Sequence, residues 1–168
     1  MPSFFDRIGR LLGKGSSSAS SRSAAPLTNG ANGEDWRPRV LCVDDDDAVL
    51  KLLHRQLSGT YDVTIAHSGS EGIVALQEQP AFDVIVSDLK MRQVSGLAFL
   101  QRAQEIAPET ARIILTGFLD PTTKATAKAA GRAMKMLTKP YDVRELRAAI
   151  DEGVAMRRAQ RATPEARP

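Results

Sequence analysis

Hydrophobic and polar positions change their period repeatedly along this chain, and each change marks a new element. RVLCV (39–43) is a short apolar run ending in acid, and AVLKLLHRQL (48–57) places Val49, Leu52, Leu53 and Leu57 at helical spacing. YDVTIA (61–66) reads as a strand and SEGIVALQE (70–78) as a helix. FDVIVSD (82–88) is a continuous β-branched run, the pattern of a strand covered on both faces. SGLAFLQRAQEI (95–106) is helical, with Pro108 preventing continuation, and ARIILTG (111–117) is a second buried strand. DPTTKATAKAAG (120–131) reads as a short polar helix with Pro121 in its first turn. AMKMLT (133–138) is a weaker strand, and YDVRELRAAIDEGVAMRRA (141–159) is a long amphipathic helix. Strand and helix thus alternate five times, which predicts an α/β fold with parallel strands and helices on both faces of the sheet.

The ends of the chain follow other patterns. In MPSFFDRIGRLLGK (1–14), Phe4, Phe5, Ile8, Leu11 and Leu12 fall on one helical face, with basic residues opposite. So short a helix is marginal alone in water and needs a surface to fold on. Residues 15–37 are rich in Ser, Ala, Gly and Asn and read as a flexible linker. The expected organisation is an amphipathic segment (1–14), a linker (15–37), an α/β domain (38–158) and a disordered tail (159–168).

Composition changes this picture little. The net charge of +3 is uneven: residues 1–39 carry six Lys/Arg against three Asp/Glu, and 153–168 carry four against one, which leaves 40–152 acidic. A basic flank suits weak attraction to an anionic surface or acidic partner. The single Cys42 lies in an apolar run, which excludes an intramolecular disulfide and a cysteine zinc site. No apolar run approaches the ~20 residues of a membrane span. The start lacks the basic region and unbroken apolar stretch of a signal peptide.

Ligands of open parallel sheets bind beyond the carboxyl ends of the strands. Here those positions hold Asp44 and Asp45 after the first strand and Asp88 after the third. Thr116 and Gly117 follow at the fourth, and Lys139 with Pro140 at the fifth. Clustered carboxylates repel unless a cation joins them, and hard oxygen donors favour Mg2+. Asp46 and Asp47 lie where the first helix begins, so they are expected to cap free N–H groups there. Asp88 is then either a metal ligand or a nucleophile able to accept a phosphoryl group. Mg2+, the Lys139 ammonium and the Thr116 hydroxyl would neutralise the charge on that group. His54 and His67 read as surface residues rather than phosphotransfer groups.

VDDDD (43–47), VIVSDLKM (84–91), LTG (115–117) and LTKP (137–140) resemble, in this order and spacing, the receiver domain of bacterial two-component response regulators. The resemblance covers about residues 38–158 and is to a chemotaxis-regulator-like receiver that stands alone behind an N-terminal extension. It implies a five-stranded, doubly wound, flavodoxin-like sheet of order 2-1-3-4-5. It also implies that Asp88 is the phosphoacceptor and Asp45 a direct Mg2+ ligand, that the Lys90 backbone carbonyl completes the metal site, and that Asp44 helps through water or an outer contact. Thr116 would bind the phosphoryl group, Gly117 would leave room for it, and Lys139 would pair with the site before a cis Lys139–Pro140 bond.

There are departures from the family. Arg92 stands where it usually has proline, Ser95 where it usually has aspartate before Gly96, and Met136 where it has a switching aromatic ring. Tyr141 does not simply replace that ring. Lys90 and Phe118 occupy positions that influence how water reaches the phosphate, and their size and charge predict a long-lived phospho-form. The resemblance implies a cytoplasmic signalling domain, not an enzyme with an external substrate, that takes its phosphoryl group from a sensor histidine kinase or phosphotransfer protein. Only residues 159–168 follow the last helix, so output through a downstream protein is expected rather than DNA binding. Phe4, Phe5, Ile8, Leu11 and Leu12 are candidates for weak membrane or partner docking. Two other readings compete: a phosphorylation-independent scaffold, and a small Mg2+-dependent phosphohydrolase, which Lys90 in place of a general acid opposes.

Overall fold

The structure, a computed structural model, describes residues 36–92, 94–117, 121, 122, 125 and 133–162. The amphipathic segment, the linker up to residue 35, Phe118 and the tail from residue 163 lie outside the described residues. So does most of the polar helix expected at 120–131, of which Pro121, Thr122 and Ala125 are described and helical.

Five strands form one parallel sheet: β1 (Arg39–Val43), β2 (Asp62–Ala66), β3 (Val84–Ser87), β4 (Ala111–Thr116) and β5 (Lys135–Thr138). Their order is β2-β1-β3-β4-β5, as expected. The fully described helices are α1 (Asp47–Leu57), α2 (Gly69–Glu78), α3 (Gly96–Ile106) and α4 (Val143–Ala162). All four start on a side-chain cap: the Asp46 carboxylate accepts from Ala48 N, Ser68 from Glu71 N, Ser95 from Ala98 N, and the Asp142 carboxylate from Arg144 N. The long helix runs to Ala162, so residues 159–162, expected in a disordered tail, are helical. Arg161, the basic residue of the last turn, favours that extension and also pairs with Glu109 at 3.9 Å.

Alternation along the strands divides the core. Val40, Cys42, Val84, Val86, Ile113, Leu115 and Leu137 face one layer, where they join Leu50, Leu53 and Leu57 of α1 and Leu146, Ala149, Ile150 and Val154 of α4. Leu41, Val43, Ile85 and Ile114, also buried, occupy the alternate positions, and Val43 lies near the Gly72 and Phe99 contact between α2 and α3. Burying each of the Val, Leu and Ile side chains contributes about 1.5–3 kcal/mol. Cys42 belongs to this core, and burial pushes its thiol pKa up to about 12, so it behaves as a small hydrophobe.

At the far end of the sheet Asp83 and Arg157 form a buried ion pair at 2.7 Å, and the Asp83 carboxylate also accepts from Arg39 N at 2.8 Å. This pair pins α4 to the start of β3. At the domain entrance the Arg158 guanidinium sits 3.8 Å over the Trp36 ring.

Candidate functional site

Strand register brings the expected residues together. Val43 pairs with Ser87 and Thr116 with Thr138, so Asp44 and Asp88 leave the sheet side by side, as do Gly117 and Lys139. Backbone bonds continue past the strands: Asp88 N donates to Val43 O at 3.0 Å, and Lys139 N to Thr116 O at 2.8 Å. The Lys139–Pro140 peptide is cis. Asp44, Asp45, Asp46, Asp88, Lys90, Thr116, Gly117 and Lys139, with Val49, line one open cleft of about 360 Å³.

Each carboxylate there has its own partner. Lys139 Nζ lies 2.6 Å from Asp44 Oδ2 and 3.5 Å from Asp88 Oδ1, bridging the two acids. The other Asp44 oxygen accepts from Asp46 N at 2.9 Å, and Asp88 Oδ2 accepts from Lys90 N at 2.8 Å. Asp45 Oδ2 accepts from Arg92 twice, from Nε at 3.0 Å and from the backbone N at 3.2 Å. Asp47, beyond the cleft, pairs with Lys51 one helical turn on at 2.6 Å, and lies 3.6 Å from His67 Nδ1.

Asp88 is buried, and that burial raises its carboxyl pKa above the usual carboxylate value. Lys139 opposes the rise and the Asp44 charge adds to it. The Asp88 backbone is held from behind: Ser87 Oγ donates to Asp88 O at 2.9 Å, and Gly96 N donates to Leu89 O at 2.9 Å. A Cβ on Gly96 would stand 1.9 Å from Asp88 O, so only glycine fits where α3 meets this loop. Among the described residues a Cβ on Gly117 would meet nothing within 4 Å, so their packing does not demand glycine there.

Among the described residues no three His, Cys, Asp or Glu side chains converge as a ready metal cage. The cations Lys139 and Arg92 stand among the acids instead. Mg2+ does not need such a cage, since it takes one or two carboxylates and keeps several waters. The hard oxygens of Asp45 and Asp88, opening on a cleft with room for water, fit that requirement.

Not all candidates gather here. Met136 is half-buried on β5, paired in register with Ile114. His54 is on α1 and His67 on the loop after β2, neither lining the cleft. Sequence reasoning missed the Arg92–Asp45 pair, because the two residues are 47 positions apart with no local pattern joining them. It also missed the contact of Tyr141, whose hydroxyl donates to Gln56 Oε1 at 2.9 Å and ties the loop after Pro140 to α1.

Residues 40–151 match the response regulator receiver domain family. The chain belongs to that family. Its receiver is 36% identical over 118 residues to the transcriptional regulatory protein GlrR of Escherichia coli, covering 68% of this chain and 26% of that protein. It is 32% identical over 113 residues to the response regulator receiver protein CpdR of Brucella abortus, covering 64% of this chain and 89% of that one. Among solved structures, a CheY-like receiver from Methanospirillum hungatei superposes with a TM-score of 0.70 at 27% identity, covering 74% of this chain and 99% of that one. The receiver thus spans about a quarter of GlrR, whose name describes a transcriptional regulator, and most of CpdR. Among the described residues no helix of the receiver is long and apolar enough to cross a membrane.

Proposed function

We propose that this receiver accepts a phosphoryl group on Asp88 from a sensor histidine kinase or phosphotransfer protein and signals through protein contact. The observation that carries this reading is Lys139 Nζ bridging Asp44 and Asp88 beside Thr116 in one cleft. An Asp88 oxygen forms the new bond to phosphorus as the bond from phosphorus to the donor nitrogen breaks, and the donor imidazole retains the electron pair. The negative charge gathers on the phosphoryl oxygens. Lys139 is positioned to neutralise part of that charge, and the Thr116 hydroxyl to bind one oxygen. Asp45, Asp88 and the Lys90 carbonyl would hold Mg2+, with Asp44 acting through water, and the ion would supply further positive charge.

In this reading Thr116 reports the phosphoryl group. Met136, which lacks a ring to rotate, gives a readout different from an aromatic switch, Gly117 leaves room for the phosphoryl group, and Phe118 and Lys90 set access for water. The receiver begins near residue 38, and residues 1–14 with their linker form an appended docking segment.

The direct test is incubation with Mg2+ and acetyl phosphate followed by mass spectrometry. Wild type should gain one phosphoryl group and Asp88→Asn none. No gain in folded wild type, together with failure to bind beryllium fluoride, would favour a phosphorylation-independent scaffold.

A further inference from the structure

We propose that Arg92 is a built-in competitor for the divalent cation at this cleft, an inference that rests on the receiver reading above. Arg92 directs both its side-chain Nε and its backbone N–H at the same oxygen, Asp45 Oδ2. The two partners differ in freedom. The Arg92 side chain is 86% exposed, whereas that of Asp45 is 23% exposed. The guanidinium can therefore swing into solvent while the carboxylate stays in place.

A cation that takes Asp45 Oδ2 must first displace Nε. A cation that takes the other oxygen still meets a guanidinium held at 3.0 Å from the same carboxylate, and like charges repel. Both routes lower metal affinity. Lys139 does a different job, since it bridges Asp44 and Asp88 rather than Asp45. The competition weakens as salt screens it. Exposed pairs of this kind correspond to roughly a 2- to 5-fold change in an equilibrium constant. The receiver would then fill with metal only at higher Mg2+, and Arg92 would set that threshold.

Calorimetric titration of Mg2+ into the full chain tests this without reference to phosphorylation. Arg92→Ala and Arg92→Gln should each bind Mg2+ about 2- to 5-fold more tightly than wild type, and the gap should narrow at high salt. In an Asp45→Asn background the same substitutions should give no tightening. Equal or weaker binding by both Arg92 variants, or tightening that persists without the Asp45 carboxylate, would overturn the role of Arg92 and leave the receiver reading standing. If wild type and variants alike bind no Mg2+, the receiver reading of the site falls, and this inference with it.

Discussion

The run Asp44 to Asp47 is tolerated because its four charges go to four different places. Lys139 takes Asp44, Arg92 takes Asp45, the N-terminus of α1 takes Asp46, and Lys51 takes Asp47. Asp88 is the less well compensated acid. Its raised pKa means that burial and the nearby Asp44 outweigh Lys139. The sign follows from linkage: with a folded pKa above the unfolded one, the native state binds the proton more tightly, and the ionised carboxylate destabilises the fold. That destabilisation is complete above the folded pKa and disappears as pH falls below the unfolded value. Asp88→Asn should therefore raise the Tm of the metal-free protein at neutral pH, and the advantage over wild type should shrink on acidification, as thermal melts across pH would show. Gly96 sets a second constraint. Gly96→Ala forces a methyl group against the Asp88 carbonyl and should cost about 1–3 kcal/mol in urea denaturation. The same variant should lose phosphorylation by acetyl phosphate, because the displaced backbone carries the Asp88 side chain with it.

Elements in this receiver are located by pattern but fastened by contacts that pattern does not reveal. The strands were legible because β3 and β4 are continuous apolar runs, and the helices because their caps and apolar faces lie within a few residues of each other. The carboxyl-end rule for parallel sheets then placed Asp44, Asp45, Asp88, Thr116 and Lys139 at one edge before any register was known. What escaped the sequence was non-local: Arg92 on Asp45, Gly96 under Asp88, and the buried Asp83–Arg157 pair joining β3 to α4. Arg157 entered only as one of the four basic residues of 153–168, since nothing nearby in the chain shows that it is 3% exposed. Burial lowers its pKa while Asp83 opposes that change. Removing one partner leaves the other buried charge poorly compensated, so Arg157→Ala should destabilise by about 3–5 kcal/mol in equilibrium unfolding. The exposed Lys135–Glu152 pair at 3.7 Å serves as contrast: Lys135→Ala should cost under about 1 kcal/mol.

For the molecule as a whole, a ligand that binds only the assembled cleft adds its binding energy to the stability of the entire receiver. Mg2+ at tenfold its dissociation constant should stabilise wild type by about 1.4 kcal/mol, and Asp45→Asn should lose most of that gain in thermal melts. The parallel register has a further consequence for how the chain reaches its native state. Lys139 and Asp44 lie 95 residues apart, and the acids of the cleft meet only when β1 and β3 align. Any transition state that docks these central strands before β5 arrives gathers Asp44 and Asp88 without Lys139 between them. Charge repulsion then raises the kinetic barrier itself, and Mg2+ should speed refolding as well as slow unfolding, displacing both arms of the chevron.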